Sequence, residues 1–223
     1  MTFAAVPPPT VTRVRAMIRA DLARRLALEG RPPTFARILG VLPRPGGAAV
    51  VLFRVNQLLH ARGLRLLSKL AELVMFYWAR VEIHPGAQIG AGLVLPDVGG
   101  VGIPAFARIG ERCTLTGPAL LTIGGMEGVD LAKDRIVLGD DCVLGPGVRI
   151  LGAVVLADGT QVKANAVVIT SATRPGTVLA GVPARRRGSL PLGAIRQWNP
   201  LRGEPLSGAS SVPPKPETAS AIA

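Results

Sequence analysis

The sequence is poor in residues that most often announce a function. It holds two cysteines and two histidines in 223 residues. Two cysteines cannot build the disulfide framework of a small secreted domain. Two histidines are too few for a typical zinc site, so no metal is expected. Aromatic residues make up only 4%, which argues against a stacking platform for nucleic acid. No apolar run approaches the ~18 residues of a membrane span. Pro7, Pro8 and Pro9 stand where the apolar part of a secretory signal would lie, so the expectation is a cytoplasmic protein. Acidic residues are scarce as well: 14 Asp and Glu stand against 26 Lys and Arg, a net charge of +12.

That charge is uneven. Residues 1–80 carry 13 Lys and Arg against 3 Asp and Glu, whereas residues 81–183 carry 7 against 9. A basic arm on a near-neutral body suits an acidic or phosphorylated ligand, an anionic lipid surface or nucleic acid, or is simply a solvated face. The lack of aromatics disfavours nucleic acid. A hydrophobic content of 48% is ample for a core.

What is present is a period of six. An aliphatic residue recurs at Leu138, Leu144, Ile150, Leu156, Val162 and Val168, and again at Ile103, Ile109, Leu115 and Leu121, and at Ile83, Ile89 and Leu95. Six fits neither a helix nor a plain strand. It fits a parallel β-helix of hexapeptides, three to a coil of about 18 residues, so that some thirteen repeats predict roughly four coils. Four places after most of these aliphatics stands a small or β-branched residue, among them Ala87, Ala107, Cys113, Ala119, Cys142, Thr160 and Ala166, with Leu93 and Gly125 fitting less well. Both cysteines lie on this inward register and read as buried packing residues. Gly90, Gly110, Gly139, Gly145 and Asn165 fall at the expected corners, where turns need permissive backbone.

The predicted fold class is α+β. Residues 1–80 form a helical region, 81–188 a hexapeptide-repeat β-helix, and 189–223 a disordered tail rich in Pro, Ser and Ala. Helices are expected over Val11–Glu29, capped by Thr10, then Thr34–Val41, Ala48–Arg62 and Leu64–Trp78, with a break at Pro43, Pro45, Gly46 and Gly47. The last helix is apolar on nearly all sides, which suits burial against the solenoid or neighbouring subunits, with a membrane surface as the less favoured alternative. Two interruptions break the period: a two-residue excess between Leu95 and Ile103, and a loop between Leu121 and Leu138.

Three segments carry a resemblance. They are IRADLARRL with VLFRVNQLLHARGLRLLSKL, then VEIHPGAQIGAGLVL, then LGDDCVLGPGVRILGAVVLADGTQVKANAVVI followed by GVPAR. From Ile18 to Arg185 the chain resembles the serine O-acetyltransferase family of hexapeptide acyltransferases. The resemblance implies a left-handed β-helix, a homotrimer or a dimer of trimers paired through the N-terminal helices, and active sites between adjacent solenoids. It implies acetyl-CoA or another acyl-CoA as co-substrate, no tightly bound cofactor, and a small-molecule acceptor. In that family a histidine takes the acceptor proton and a carboxylate orients it, as a weak hydroxyl nucleophile requires.

The chain departs from this pattern in LPDVGGVGI. Asp97 falls at the histidine position, Pro96 at the preceding aspartate, and Glu82 replaces the orienting aspartate; Arg135 takes the place of a second, substrate-holding histidine. His84, in IHPG, belongs to the opening motif and is not the family's catalytic histidine, and His60, in the helical region, reads as structural. The candidate catalytic residues are therefore Asp97 and Glu82, two carboxylates able to share a proton, with Arg135 for an acceptor carboxylate or phosphate. For the donor, Gly124 and Gly125 match the family's loop glycines, Ala164 lies in the coil lining the CoA groove, and Arg185 leads a run suited to nucleotide phosphates. An aspartate of ordinary pKa is a poor base for a hydroxyl, so an amine acceptor is as good a fit as a hydroxyl. Three readings stand: an acyl-CoA-dependent acyltransferase with an acidic site, an inactive scaffold or partner of an active homologue, and a transferase taking its acyl group from an acyl carrier protein that docks on the basic helices.

Overall fold

A computed structural model describes residues 9–122, 135–196 and 198–201, and the backbone of 204 and 205. Four helices come first: α1 (Val11–Leu28), α2 (Phe35–Val41), α3 (Pro45–Ala61) and α4 (Arg65–Ala79). Thr10 caps α1, its hydroxyl accepting the Arg13 N–H at 3.3 Å. The expected break shortens to residues 42–44, and Pro45, Gly46 and Gly47 form the first turn of α3 instead. Pro45 opens the helix, where its missing N–H costs nothing. Gly46 lets that turn press on the Leu95 carbonyl and Gly47 on that of Val41, contacts that a Cβ would forbid. These glycines serve close packing rather than a break.

Five coils follow. The first holds β1 (Val81–Ile83) and β2 (Gln88–Ile89) and closes through a single bridge from Val94 to Thr114. The second holds β3 (Val101–Ile103), β4 (Arg108–Ile109) and β5 (Thr114–Leu115). The third holds β6 (Ala119–Thr122), β7 (Val137–Leu138) and β8 (Val143–Leu144). The fourth holds β9 (Val148–Leu151), β10 (Val155–Leu156) and β11 (Gln161–Val162). The fifth holds β12 (Val167–Val168), a bridge at Ala172, and β13 (Thr177–Ala180). Each strand pairs in parallel with its equivalent one coil away, which makes three flat faces, β1-β3-β6-β9-β12, β2-β4-β7-β10 and β5-β8-β11-β13. The winding is left-handed. The coil count exceeds the roughly four expected because the last coil continues past Val168, through the bridge at Ala172 and β13.

Both six-residue registers point inward. Leu138, Leu144, Ile150 and Leu156 are fully buried, as are Cys113 and Cys142 on the smaller register. Gly90, Gly110 and Gly139 do stack at one corner, but for a steric reason. A Cβ on Gly90 would lie 2.6 Å from the Gly110 carbonyl carbon, and one on Gly110 equally close to that of Gly139. The left-handed backbone lies two residues further on, at Gly92, Arg112, Asp141 and Gly159.

Three arginines of the basic first half turn inward, while most of its Lys and Arg are exposed as a solvated face. Arg24 donates to the carbonyls of Gly92 and Cys113 and to the Thr114 hydroxyl, and Arg25 donates to the Leu95 carbonyl. Arg54 is wholly buried. It donates to the carbonyls of Ile89 and Gly90 and pairs with buried Asp21 at 2.9 Å. Asp21 in turn accepts the N–H groups of Gly92 and Leu93. Arginine suits this task, because its rigid fork serves several carbonyls at once. The helices are thereby latched to the open edge of the first coil, whose polar groups would otherwise be buried without partners.

Structure also runs past residue 188. After a turn, β14 (Arg185–Ser189) hooks back antiparallel to β13, and α5 (Leu192–Arg196) follows. The Asn199 amide donates to the Leu28 carbonyl at 2.6 Å, tying the chain's end to α1. Residues 206–223, part of the expected tail, lie outside the described residues.

Candidate active site

Strand alternation builds the site. In β1, Val81 and Ile83 face the core while Glu82 and, just beyond the strand, His84 face outward. Their neighbours on the same face are Gly102 and Pro104 from the second coil and Leu120 and Thr122 from the third. Helix α4 lies across this face and contributes Lys69, Glu72, Leu73 and Phe76. Between helix and sheet lies a groove of about 670 Å³, within the range of metabolite and cofactor sites. Gly102 keeps it open: a Cβ there would meet Leu120 Cδ1 at 2.7 Å. The floor is aliphatic and aromatic, and Lys69, Glu72 and His84 lie close to one another at a polar end. There Lys69 pairs with Glu72 at 2.6 Å, and His84 accepts the Gly86 N–H on Nδ1 at 3.0 Å. The His60 ring stands 6.0 Å from that of His84, edge to face.

The structure separates the two candidate carboxylates by setting. Glu82 borders the groove, whereas Asp97 does not. Asp97 sits at the exposed corner leading into β3, where its backbone carbonyl accepts the Gly117 N–H at 3.0 Å. The two extra residues there are absorbed by Gly99 and Gly100, both in left-handed backbone. Arg135 is half-buried just before β7. Gly124 and Gly125 lie outside the described residues. Ala164 is exposed at the corner after β11, stacked on Gly145. Arg185 opens β14, and Arg185, Arg186 and Arg187 are all exposed beside the last coil. Among the described residues, no hydrogen bond or ion pair and no shared groove brings Ala164 or Arg185 to Glu82.

Two residues at the groove were assigned no role from the sequence, His84 and Glu72. One signal for His84 was available: it stands two positions from Glu82 in an extended segment, hence on the same face. The approach of His60 was not readable, because it depends on how α3 packs beside the first coil.

A smaller cavity of about 260 Å³ lies between α1, the coil edge and α5. Asp141 accepts a bidentate pair of bonds from Arg112 at 2.7 and 2.9 Å and a third from Arg196 at 3.1 Å. Burial pushes the Asp141 carboxyl up, but the two guanidinium groups outweigh it and hold its pKa below the ordinary carboxylate value. A depressed folded pKa stabilises the fold above the unfolded pKa near 4, and that stability is lost as pH falls through the folded pKa. Asp141→Asn is therefore expected to flatten the acid limb below about pH 4, read by circular dichroism against pH. An unchanged acid limb would remove Asp141 from this role.

No protein-family profile matches the chain. Individual relatives do. Over 189 residues the chain is 32% identical to serine acetyltransferase of Mycobacterium tuberculosis, covering 85% of this chain and 76% of the relative. It is also 32% identical over 141 residues to serine acetyltransferase of Helicobacter pylori, covering 63% of this chain and 80% of the relative. The chain belongs to the serine acetyltransferase family. Solved members share its architecture. The Neisseria gonorrhoeae serine acetyltransferase superposes with a TM-score of 0.68 at 25% identity, covering 81% of this chain and 68% of that one. The soybean serine acetyltransferase complexed with serine gives 0.66 at 29% identity, covering 78% and 69%. The helical prefix and the solenoid are thus shared with these solved serine acetyltransferases.

Proposed function

We propose that the chain is an acyl-CoA-dependent acyltransferase that moves an acetyl or other acyl group to a hydroxyl or amine of a small metabolite. The observation that carries this reading is the Glu82 groove on the opening coils of a serine acetyltransferase family member. The acceptor's lone pair attacks the thioester carbonyl, forming the new C–O or C–N bond and moving the C=O electron pair onto oxygen. Collapse breaks the C–S bond. The proton leaves the acceptor through Glu82 and ends on the CoA thiolate, so charge and atoms balance. Serine is the acceptor named for the relatives, and Arg135 is suited to hold the carboxylate of serine or of a similar amino acid. Gly124, Gly125, Ala164 and Arg185 are the proposed donor contacts, from the loop and the closing coils, with Asp97 at the neighbouring corner. Because Glu82, Asp97, Ala164 and Arg185 lie on different coils and corners, a site assembled between solenoids of a homotrimer accommodates them best.

The outer stripe of α4 supports association. Leu66, Leu70 and Tyr77 recur at helical spacing and are 84%, 56% and 72% exposed, more apolar surface than a lone subunit comfortably leaves in water. No single described helix is long and apolar enough to cross a membrane, and the proposed location is the cytoplasm.

Calorimetric titration with acetyl-CoA and then longer acyl-CoAs tests the reading, with mass spectrometry of products from serine and a panel of amines. Micromolar binding and acylated product are expected. Absence of binding to every acyl-CoA would overturn it in favour of a scaffold or a carrier-protein donor.

A further inference from the structure

We propose that His84 is a catalytic hydrogen-bond donor that holds the thioester oxygen as negative charge develops on it. The inference rests on the acyltransferase reading above.

Four observations carry it. The fold brings the chain's two histidines together at the polar end of the groove, although they are 24 positions apart in sequence. His84 shares an outward face with Glu82, and both border the same cavity. Its Nδ1 accepts the Gly86 N–H. A neutral imidazole has one accepting and one donating nitrogen, so Nε2 carries the proton. The ring therefore offers a donor, not a free base. Lastly, the groove floor is apolar, and a fixed donor there counts for more than it would in water.

The surroundings keep the ring neutral. Partial burial lowers the His84 pKa, His60 on α3 and Lys69 on α4 push the same way, and Glu72 on α4 opposes them. Glu82 shares the face from β1. A neutral imidazole whose N–H polarises a carbonyl is an established catalytic device. The division of labour then follows. Glu82 takes the proton of the acceptor as its lone pair attacks. The C=O electron pair moves to oxygen against the His84 Nε2–H, which is not transferred. The pair returns as the C–S bond breaks, and CoA leaves with the proton.

The competing role is a turn cap, since the Nδ1 bond to Gly86 would serve structure alone. Three variants separate the roles. His84→Ala removes both functions and is expected to lower kcat by ~10²–10³-fold with little change in KM, as for loss of one oxyanion donor. His84→Asn places an acceptor near Nδ1 for Gly86 but no donor in the groove, and is expected to stay near the Ala value. His84→Gln places an amide N–H near the Nε2 position and is expected to recover most of the loss. A second readout uses imidazole NMR, which is simple with two histidines. It should show the Nε2–H tautomer of His84 at pH 7 and a shift of that signal when acetyl-CoA is added.

Wild-type turnover in His84→Ala would overturn the proposal while leaving the acyltransferase reading intact. So would full activity in His84→Asn, which would mark a turn cap, or a His84→Gln loss as deep as that of Ala, which would mark a base. An Nδ1–H tautomer would also overturn it. A wild-type protein that neither binds nor consumes any acyl-CoA would overturn the acyltransferase reading and this proposal with it.

Discussion

Asp21→Ala is expected to cost about 3–5 kcal/mol of folding stability, the usual effect of stripping one partner from a buried ion pair. For a chain of this size that is a fall of roughly 6–20 °C in melting temperature. The reason is what would be left behind. Arg54 is fully buried, and its guanidinium would keep two carbonyls but lose its counter-charge. The Gly92 and Leu93 N–H groups would lose their acceptor at the same time, and an unpaired buried donor costs about 1–3 kcal/mol. Burial pushes the Asp21 carboxyl up while Arg54 and the two amides pull it down, so the pair is held by geometry rather than by surplus energy. Asp21→Ala with Arg54→Met should therefore recover part of the loss. Thermal unfolding followed by circular dichroism measures both. A single variant within about 1 kcal/mol of wild type would show that the latch between helices and solenoid lies elsewhere.

Glu82→Gln is expected to lower kcat by ~10²–10⁴-fold, the range for loss of a positioned acid or base. Glutamine keeps the shape of the groove, so binding of acyl-CoA and assembly should be unchanged. Asp97→Ala is expected to show a far smaller loss. Its carboxylate sits at an exposed corner and does not border the groove. Steady-state kinetics on the two variants, with subunit mass checked by light scattering, decides between them. The reverse order, with Asp97→Ala the weaker enzyme, would move the proton acceptor to that corner and remove the basis for placing chemistry in the groove.

The relation of sequence to structure differs sharply between the solenoid and the site. Each inward position of the solenoid was legible, because every coil repeats one steric problem and the answer recurs at fixed spacing. Leu144 and Cys142 are buried for the reason their registers imply. The corner glycines were legible in place but not in cause. Gly110 reads as a turn residue, yet it faces the backbone of the next coil, and distance between coils is not written in a local pattern. The N-terminal charges misled in a similar way. Arg24, Arg25 and Arg54 look like a solvated basic arm until helix packing aims them at coil carbonyls.

The site shows the same limit. Glu82 and Asp97 are equal candidates along the chain, fifteen residues apart. Only the alternation of β1 and the seat of α4 put Glu82 in a groove and left Asp97 at a corner. His84 looked like part of a motif until α3 set His60 beside it and Gly86 took up its Nδ1. The sequence by itself determined the three-sided coil, its inward residues and the family to which it belongs, since a six-residue period with small residues at the corners has few other packed solutions. The tertiary structure alone decided where Arg24, Arg25 and Arg54 point, which carboxylate borders the groove and which residues stand beside His84. Those depend on contacts between segments distant in sequence, and no local periodicity encodes them.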